Sequence, residues 1–108
     1  MRPGGLVTPG RAQPTVLIDN ERVRVTRWEF EPGAATGWHR HEHDYVIVPL
    51  TDGTLRLVEP DGERDSQLAV GAPYMRQAGV EHDVVNANEH AFAFVEIELK
   101  SSRTRLST

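Results

Sequence analysis

The chain has 108 residues, no cysteine, 38% apolar and 26% charged content, and a formal net charge of -4. That length fits one domain, with no room for a cofactor domain beside a substrate domain, and the missing cysteine excludes disulfides, thiolate metal sites and a cysteine nucleophile. The mild acidity argues against a nucleic-acid partner, and no apolar run reaches the roughly 18 residues of a membrane span, so the expectation is a cytoplasmic protein with no membrane partner.

Residues 1–14 carry Pro3, Gly4, Gly5, Pro9, Gly10 and Pro14, which resist helix and strand interiors alike. They read as a flexible or extended arm without the apolar stretch of a signal peptide. Thr15 to Ile18 is a short β-branched strand, and Glu21 to Glu31 alternates, with Val23, Val25 and Phe30 among charged neighbours and Trp28 breaking the order. Trp28 and Phe30 are expected to line the interior or a subunit interface. Tyr45 to Leu50 and Thr54 to Val58 are apolar runs around Thr51-Asp52-Gly53, a hairpin signal, and Glu59-Pro60-Asp61-Gly62 is a further turn. Val84-Val85 and Ala91 to Leu99 supply two later strands. In the last, Ala91, Ala93, Val95, Ile97 and Leu99 share one face, with Glu96 and Glu98 on the other. Phe92 and Phe94 make that second face apolar as well, so both sides of the strand are expected to be covered. Residues 101–108 form a polar tail. The periodicity predicts an all-β domain over residues 15–100, a sandwich or small barrel with at most one short helical turn.

Four of the five histidines fall in two places. His39, His41 and His43 alternate, and on an extended strand they project from one face together with Tyr45. Two imidazoles on one strand face can share a metal ion; a third ligand must come from elsewhere, and His82, opening a later strand, is the natural candidate. Spacing alone leaves a metal site and a solvated strand face equally open. His90, in the polar turn Asn88-Glu89-His90, reads as surface polarity.

These residues carry a family resemblance. Gly33 followed after five residues by His39-Arg40-His41, with Gly53 as the closing turn, is similar to the first motif of the cupins, small β-barrels of jelly-roll type. Gly71, Gly79, His82 and Asn86 stand at every spacing of the second motif, with Gln77 in place of its proline. Within the family the chain looks most like the small single-domain cupins connected with β-alanine degradation. The resemblance implies a jelly-roll barrel, a homodimer, and one divalent metal ion (iron, zinc, nickel or manganese) held by His39, His41 and His82.

The chain also departs from the pattern. The family's glutamate ligand falls at position 45 counted from the histidines, or 46 counted back from Gly53, and those positions hold Tyr45 and Val46. A small insertion in Pro49-Leu50-Thr51-Asp52 makes Tyr45 the equivalent residue. Three neutral imidazoles leave a divalent ion its full charge, which favours an anionic oxygen ligand and strengthens Lewis acidity. His43 is a candidate fourth ligand against a reading as surface or supporting residue. Tyr45 is a candidate partner of substrate or metal-bound water against a reading as core filler. Trp38 reads as packing, and Arg56, Arg76 and Gln77 as surface residues within reach of an anion at the barrel mouth. The leading functional reading is a mononuclear metal enzyme, dioxygenase-like or related, acting on a small oxygenated or carboxylated molecule. The competing reading is a barrel that binds metal or a small ligand without turnover.

Overall fold

The computed structural model describes residues 10–100. It contains nine strands: β1 (Gln13–Asp19), β2 (Val23–Phe30), β3 (His39–Arg40), β4 (Asp44–Pro49), β5 (Gly53–Glu59), β6 (Gly62–Leu68), β7 (Tyr74–Arg76), β8 (Glu81–Asn86) and β9 (Phe92–Leu99). Among the described residues there is no helix. Of the expected arm, residues 1–9 lie outside the described residues; Arg11 bridges to Ala35, and β1 opens at Gln13. The expected tail, residues 101–108, lies outside them entirely.

The strands form two antiparallel sheets, ordered β1-β2-β9-β4-β7 and β3-β8-β5-β6. Alternation decides what each contributes. Phe30 of β2, Tyr45 and Ile47 of β4, and Phe92 and Phe94 of β9 turn inward from the first sheet, meeting Leu55 and Leu57 of β5 and Val84 of β8 from the second. No ladder joins the two sheets, so the expected closed barrel is instead a two-sheet sandwich, an arrangement consistent with a jelly roll.

Two local expectations change. Thr51-Asp52-Gly53 does not close a hairpin: β4 pairs with β7 and β9, and β5 pairs with β6 and β8, so this segment crosses from one sheet to the other. The real hairpin is the following turn, where Glu59 pairs with Gly62. Second, the continuous strand expected from His39 to Tyr45 bends at Glu42-His43, leaving β3 in one sheet and β4 in the other. Strands β6 and β7 escaped the sequence reading, because a largely exposed polar edge strand such as Gly62–Leu68 carries no apolar alternation.

Asn86 locks the crossover. Fully buried, its Nδ2 donates to the carbonyls of Phe30, Glu31 and His90, and its Oδ1 accepts from the backbone and side-chain nitrogens of Asn88. Asn88 in turn accepts from Thr54 N and donates to Thr54 O. Gly53 sits directly against this amide, where a Cβ would lie 2.8 Å from Asn88 Nδ2 and Oδ1 at a φ of 156°. Gly53→Ala is therefore expected to lower stability by about 1–3 kcal/mol, the usual range for an overpacked site. Urea unfolding of the two proteins measures this, and an unchanged midpoint refutes it.

Candidate metal centre

The site grows out of one strand register. In the β3–β8 pair, His39 stands directly opposite His82, and the pairing runs on past β3: His41 N donates to Val80 O at 2.9 Å, and Gly79 N donates to His41 O at 2.8 Å. His39 and His82 are thus cross-strand neighbours, and His41 joins them two residues along. The rings form a nearly equilateral triangle, with centroids 4.6, 4.8 and 5.0 Å apart. Their Nε2 atoms point at one another, 3.0 Å from His39 to His41 and 3.1 Å from His41 to His82.

Hydrogen bonding fixes which nitrogen carries the proton on His39. Its Nδ1 lies 2.9 Å from Gly37 O and 3.3 Å from Thr36 Oγ1, whose own hydrogen goes to Gly37 O. Every neighbour there is an acceptor, so Nδ1 is protonated and Nε2 presents a lone pair. On His41, Nδ1 faces Glu96 Oε2 at 3.6 Å, an electrostatic contact beyond hydrogen-bond length. Lone pairs this close repel unless a proton or a cation lies between them. With metal–nitrogen bonds of about 2.0–2.1 Å, two nitrogens at roughly a right angle stand about 3 Å apart, and at the tetrahedral angle about 3.4 Å. The observed 3.0 and 3.1 Å suit ligands of a single ion, and three imidazoles are a donor set for divalent first-row metals.

Burial governs the charge state. His41 and His82 are almost fully buried, and desolvation, reinforced by His39, pushes their pKa values down to about 3 and about 4. Both are neutral at pH 7, as metal binding requires. Tyr45 is buried beside them, its ring stacked on His41 at 3.9 Å and 19°. Its hydroxyl has no hydrogen-bond partner, and burial raises its pKa. His43 is not among the converging residues: the bend at Glu42-His43 takes it off the face that His39 and His41 share.

Glu96 is the residue that the sequence reading missed. It is 7% exposed, accepts from Trp28 Nε1 at 3.2 Å, and is raised to about 7 by burial, with the Trp28 hydrogen bond opposing. The alternation of β9 was legible, but its two faces are both apolar apart from Glu96 and Glu98, so the pattern does not say which face is inside; the structure turns Phe92, Phe94 and Glu96 inward. Arg56 and Arg76 are ion-paired, with Asp65 at 3.0 Å and Glu59 at 3.2 Å, Arg76 lies on the strand beside Tyr45, and Gln77 is exposed. The arginines at the mouth are instead Arg24 and Arg40, which with Thr26, His39, His41, Glu96 and Glu98 line an open cavity of about 350 Å³. Trp38 is half exposed and His90 lies on the surface.

Comparison with known proteins places this geometry in context. A family model described as a cupin domain matches residues 26–98. The chain is 59% identical over 90 residues to the beta-alanine degradation protein BauB of Pseudomonas aeruginosa, a match covering 83% of this chain and 95% of that protein. Among solved structures, a cupin domain from Bordetella pertussis Tohama I superposes with a TM-score of 0.85 at 55% identity, covering 88% of this chain and 99% of that one. The polyketide cyclase RemF from Streptomyces resistomycificus superposes with a TM-score of 0.68 at 26% identity, covering 86% and 69%.

The buried imidazoles make the metal-free protein acid-sensitive. His41 and His82 have folded pKa values below the ordinary 6.5, so the stability they contribute is present above pH 6.5 and lost as pH falls toward 4 and 3. Glu96 acts in the opposite sense, stabilising below pH 4.5 and losing that contribution as pH rises through 7. Two imidazoles outweigh one carboxyl, so stability without metal is expected to fall by about 1 kcal/mol per pH unit from pH 6.5 to 4.5, and less steeply in His82→Gln. Urea titrations across that range test it; equal slopes in both proteins contradict it.

Proposed function

The chain belongs to the cupin family, and from that premise we propose that it binds one divalent metal ion through His39, His41 and His82 and acts on a small oxygenated or carboxylated molecule. The observation that carries the reading is the convergence of three Nε2 atoms at 3.0 and 3.1 Å on a buried strand face. Iron, zinc and nickel suit an imidazole donor set, whereas manganese favours oxygen ligands and fits this site less well. When bound, such an ion supplies Lewis acidity toward a carboxylate, enolate or water oxygen. The surrounding chain does the rest. Ile47, Leu55, Leu57, Val84 and Phe94 wall the inner side with apolar groups that exclude water. Arg24 and Arg40 border the open side, and Arg40, without an ion-pair partner among the described residues, draws anions toward it. Tyr45 braces the His41 ring by stacking.

Tag-free protein is expected to carry one divalent ion per chain by elemental analysis, and His82→Ala to lose at least nine-tenths of it. Full retention of metal in the His39→Ala/His82→Ala double variant would overturn the ligand assignment. The relative's connection with β-alanine degradation supports β-alanine and small 3-oxo carboxylates as first trial ligands. With the iron-loaded protein and such acids, dioxygenase-like chemistry is expected to appear as oxygen uptake; binding without turnover would instead favour the non-catalytic module.

The reading includes a homodimer in the cytoplasm, a location that the cysteine-free composition supports. The outer face of the five-stranded sheet supports the dimer: Ile18, Val25, Ile97, Val46 and Met75 stand in register across all five strands, with Val23, Val48, Val95 and Leu99 beside them. Ile18 and Met75 are about half exposed, and a continuous aliphatic row of this kind is self-complementary for two-fold packing. Light scattering is expected to give twice the 12.1 kDa chain mass, and Val46→Lys to give the monomer; a monomeric parent protein refutes the interface.

A further inference from the structure

We propose that Glu96 is the positioning partner of His41, placing behind the imidazole the carboxylate that the cupin pattern puts on the metal itself. The inference rests on the metal-binding reading above. Position 45, where the family has its glutamate, holds Tyr45, and that ring stacks on the face of His41 instead of ligating. Glu96 reaches the same imidazole from β9. Its Oε1 is held by Trp28 Nε1 at 3.2 Å, and its Oε2 stands 3.6 Å from His41 Nδ1. That separation is longer than a hydrogen bond, so the contact is a dipolar one with a neutral ring that a cation bound at Nε2 would make electrostatically strong. Glu96 is not itself in the group of converging ligand atoms.

Burying a carboxylate on the strand face it shares with Phe92, Phe94 and a second carboxylate, Glu98, works against stability. The group therefore calls for electrostatic partners, and its neighbours offer the Trp28 indole, the Arg24 guanidinium at longer range, and the Nδ1 edge of His41. A ring that gives its Nε2 pair to a cation becomes more acidic at Nδ1–H, so the attraction of Glu96 strengthens as the site loads and makes His41 the better donor. The three imidazoles are thereby inequivalent. His41 is backed by a carboxylate, His39 by the carbonyl of Gly37 at 2.9 Å, and His82 Nδ1 is buried with no partner. The outer carboxylate offsets part of the dication's charge and leaves the open side of the ion to ligand.

The test compares zinc and cobalt titrations of the metal-free full chain with those of Glu96→Gln, which keeps the side-chain volume and an acceptor for Trp28 but removes the charge. Expected are a 10–100-fold loss of affinity, the range typical of such outer partners, and a shifted cobalt ligand-field spectrum with the fold retained by circular dichroism. Parent affinity and an unchanged spectrum in Glu96→Gln overturn the role of Glu96 while leaving the three-histidine site intact. A parent protein that takes up neither metal removes the site and the inference together. Should Glu96→Gln fail to fold, the zinc-loaded parent decides by NMR: a His41 Nδ1–H proton shifted downfield by a carboxylate supports the proposal, and an ordinary shift overturns it.

Discussion

Three imidazole Nε2 atoms directed at one point, 3.0 and 3.1 Å apart, are the contact on which the organisation of this molecule turns. Neutral rings in water would not adopt it. It is held because β3 and β8 are registered with His39 opposite His82, and because burial keeps His41 and His82 uncharged. Shifting β3 by one residue would carry His39, and with it His41 just beyond the strand, to the opposite face of the sheet. The pairing that continues beyond β3, from His41 to Val80 and Gly79, guards against that slip.

A short strand of two residues cannot set such a register alone, and the rest of the sandwich shows where the support lies. Gly37 N donates to Asp83 Oδ1 at 3.0 Å, and Val84 N donates to Thr36 Oγ1 at 3.2 Å, so side chains tie the approach to β3 onto β8. On the other flank, Asn86 closes the end of β8 against the carbonyls of Phe30, Glu31 and His90. Among the buried polar residues, Asn86 satisfies backbone groups, whereas His41, His82 and Glu96 gather at the histidine cluster. Satisfied polar groups specify one arrangement of an otherwise interchangeable apolar core.

The legible parts were those whose signal is local. Alternation in Glu21–Glu31 and Ala91–Leu99 identified β2 and β9, and two spaced motifs identified His39, His41 and His82 as members of one site. His43 looked equivalent to His39 and His41 because alternation assumes an unbroken strand; the bend at Glu42-His43 is a consequence of the chain passing between sheets, which spacing does not encode. Gly53 was read as the closing turn of a hairpin, whereas it opens β5 and pairs with Leu68. A glycine reports a backbone need, and here that need is close contact with Asn88, 35 residues away, rather than a tight hairpin.

The sequence by itself determined an all-β domain, its family, and the identity of three histidines as a set, because strand periodicity and motif spacing are written in residues close together along the chain. Only the tertiary structure decided that the strands form two sheets, that β9 turns Phe92, Phe94 and Glu96 inward, and that Arg24 and Arg40, in place of Arg56 and Arg76, border the open cavity. The physical reason is that a strand with apolar residues on both faces has no preferred inside until a second sheet is laid against it. That choice is made by the total apolar surface removed from water, a property of the assembled sandwich and not of any segment within it.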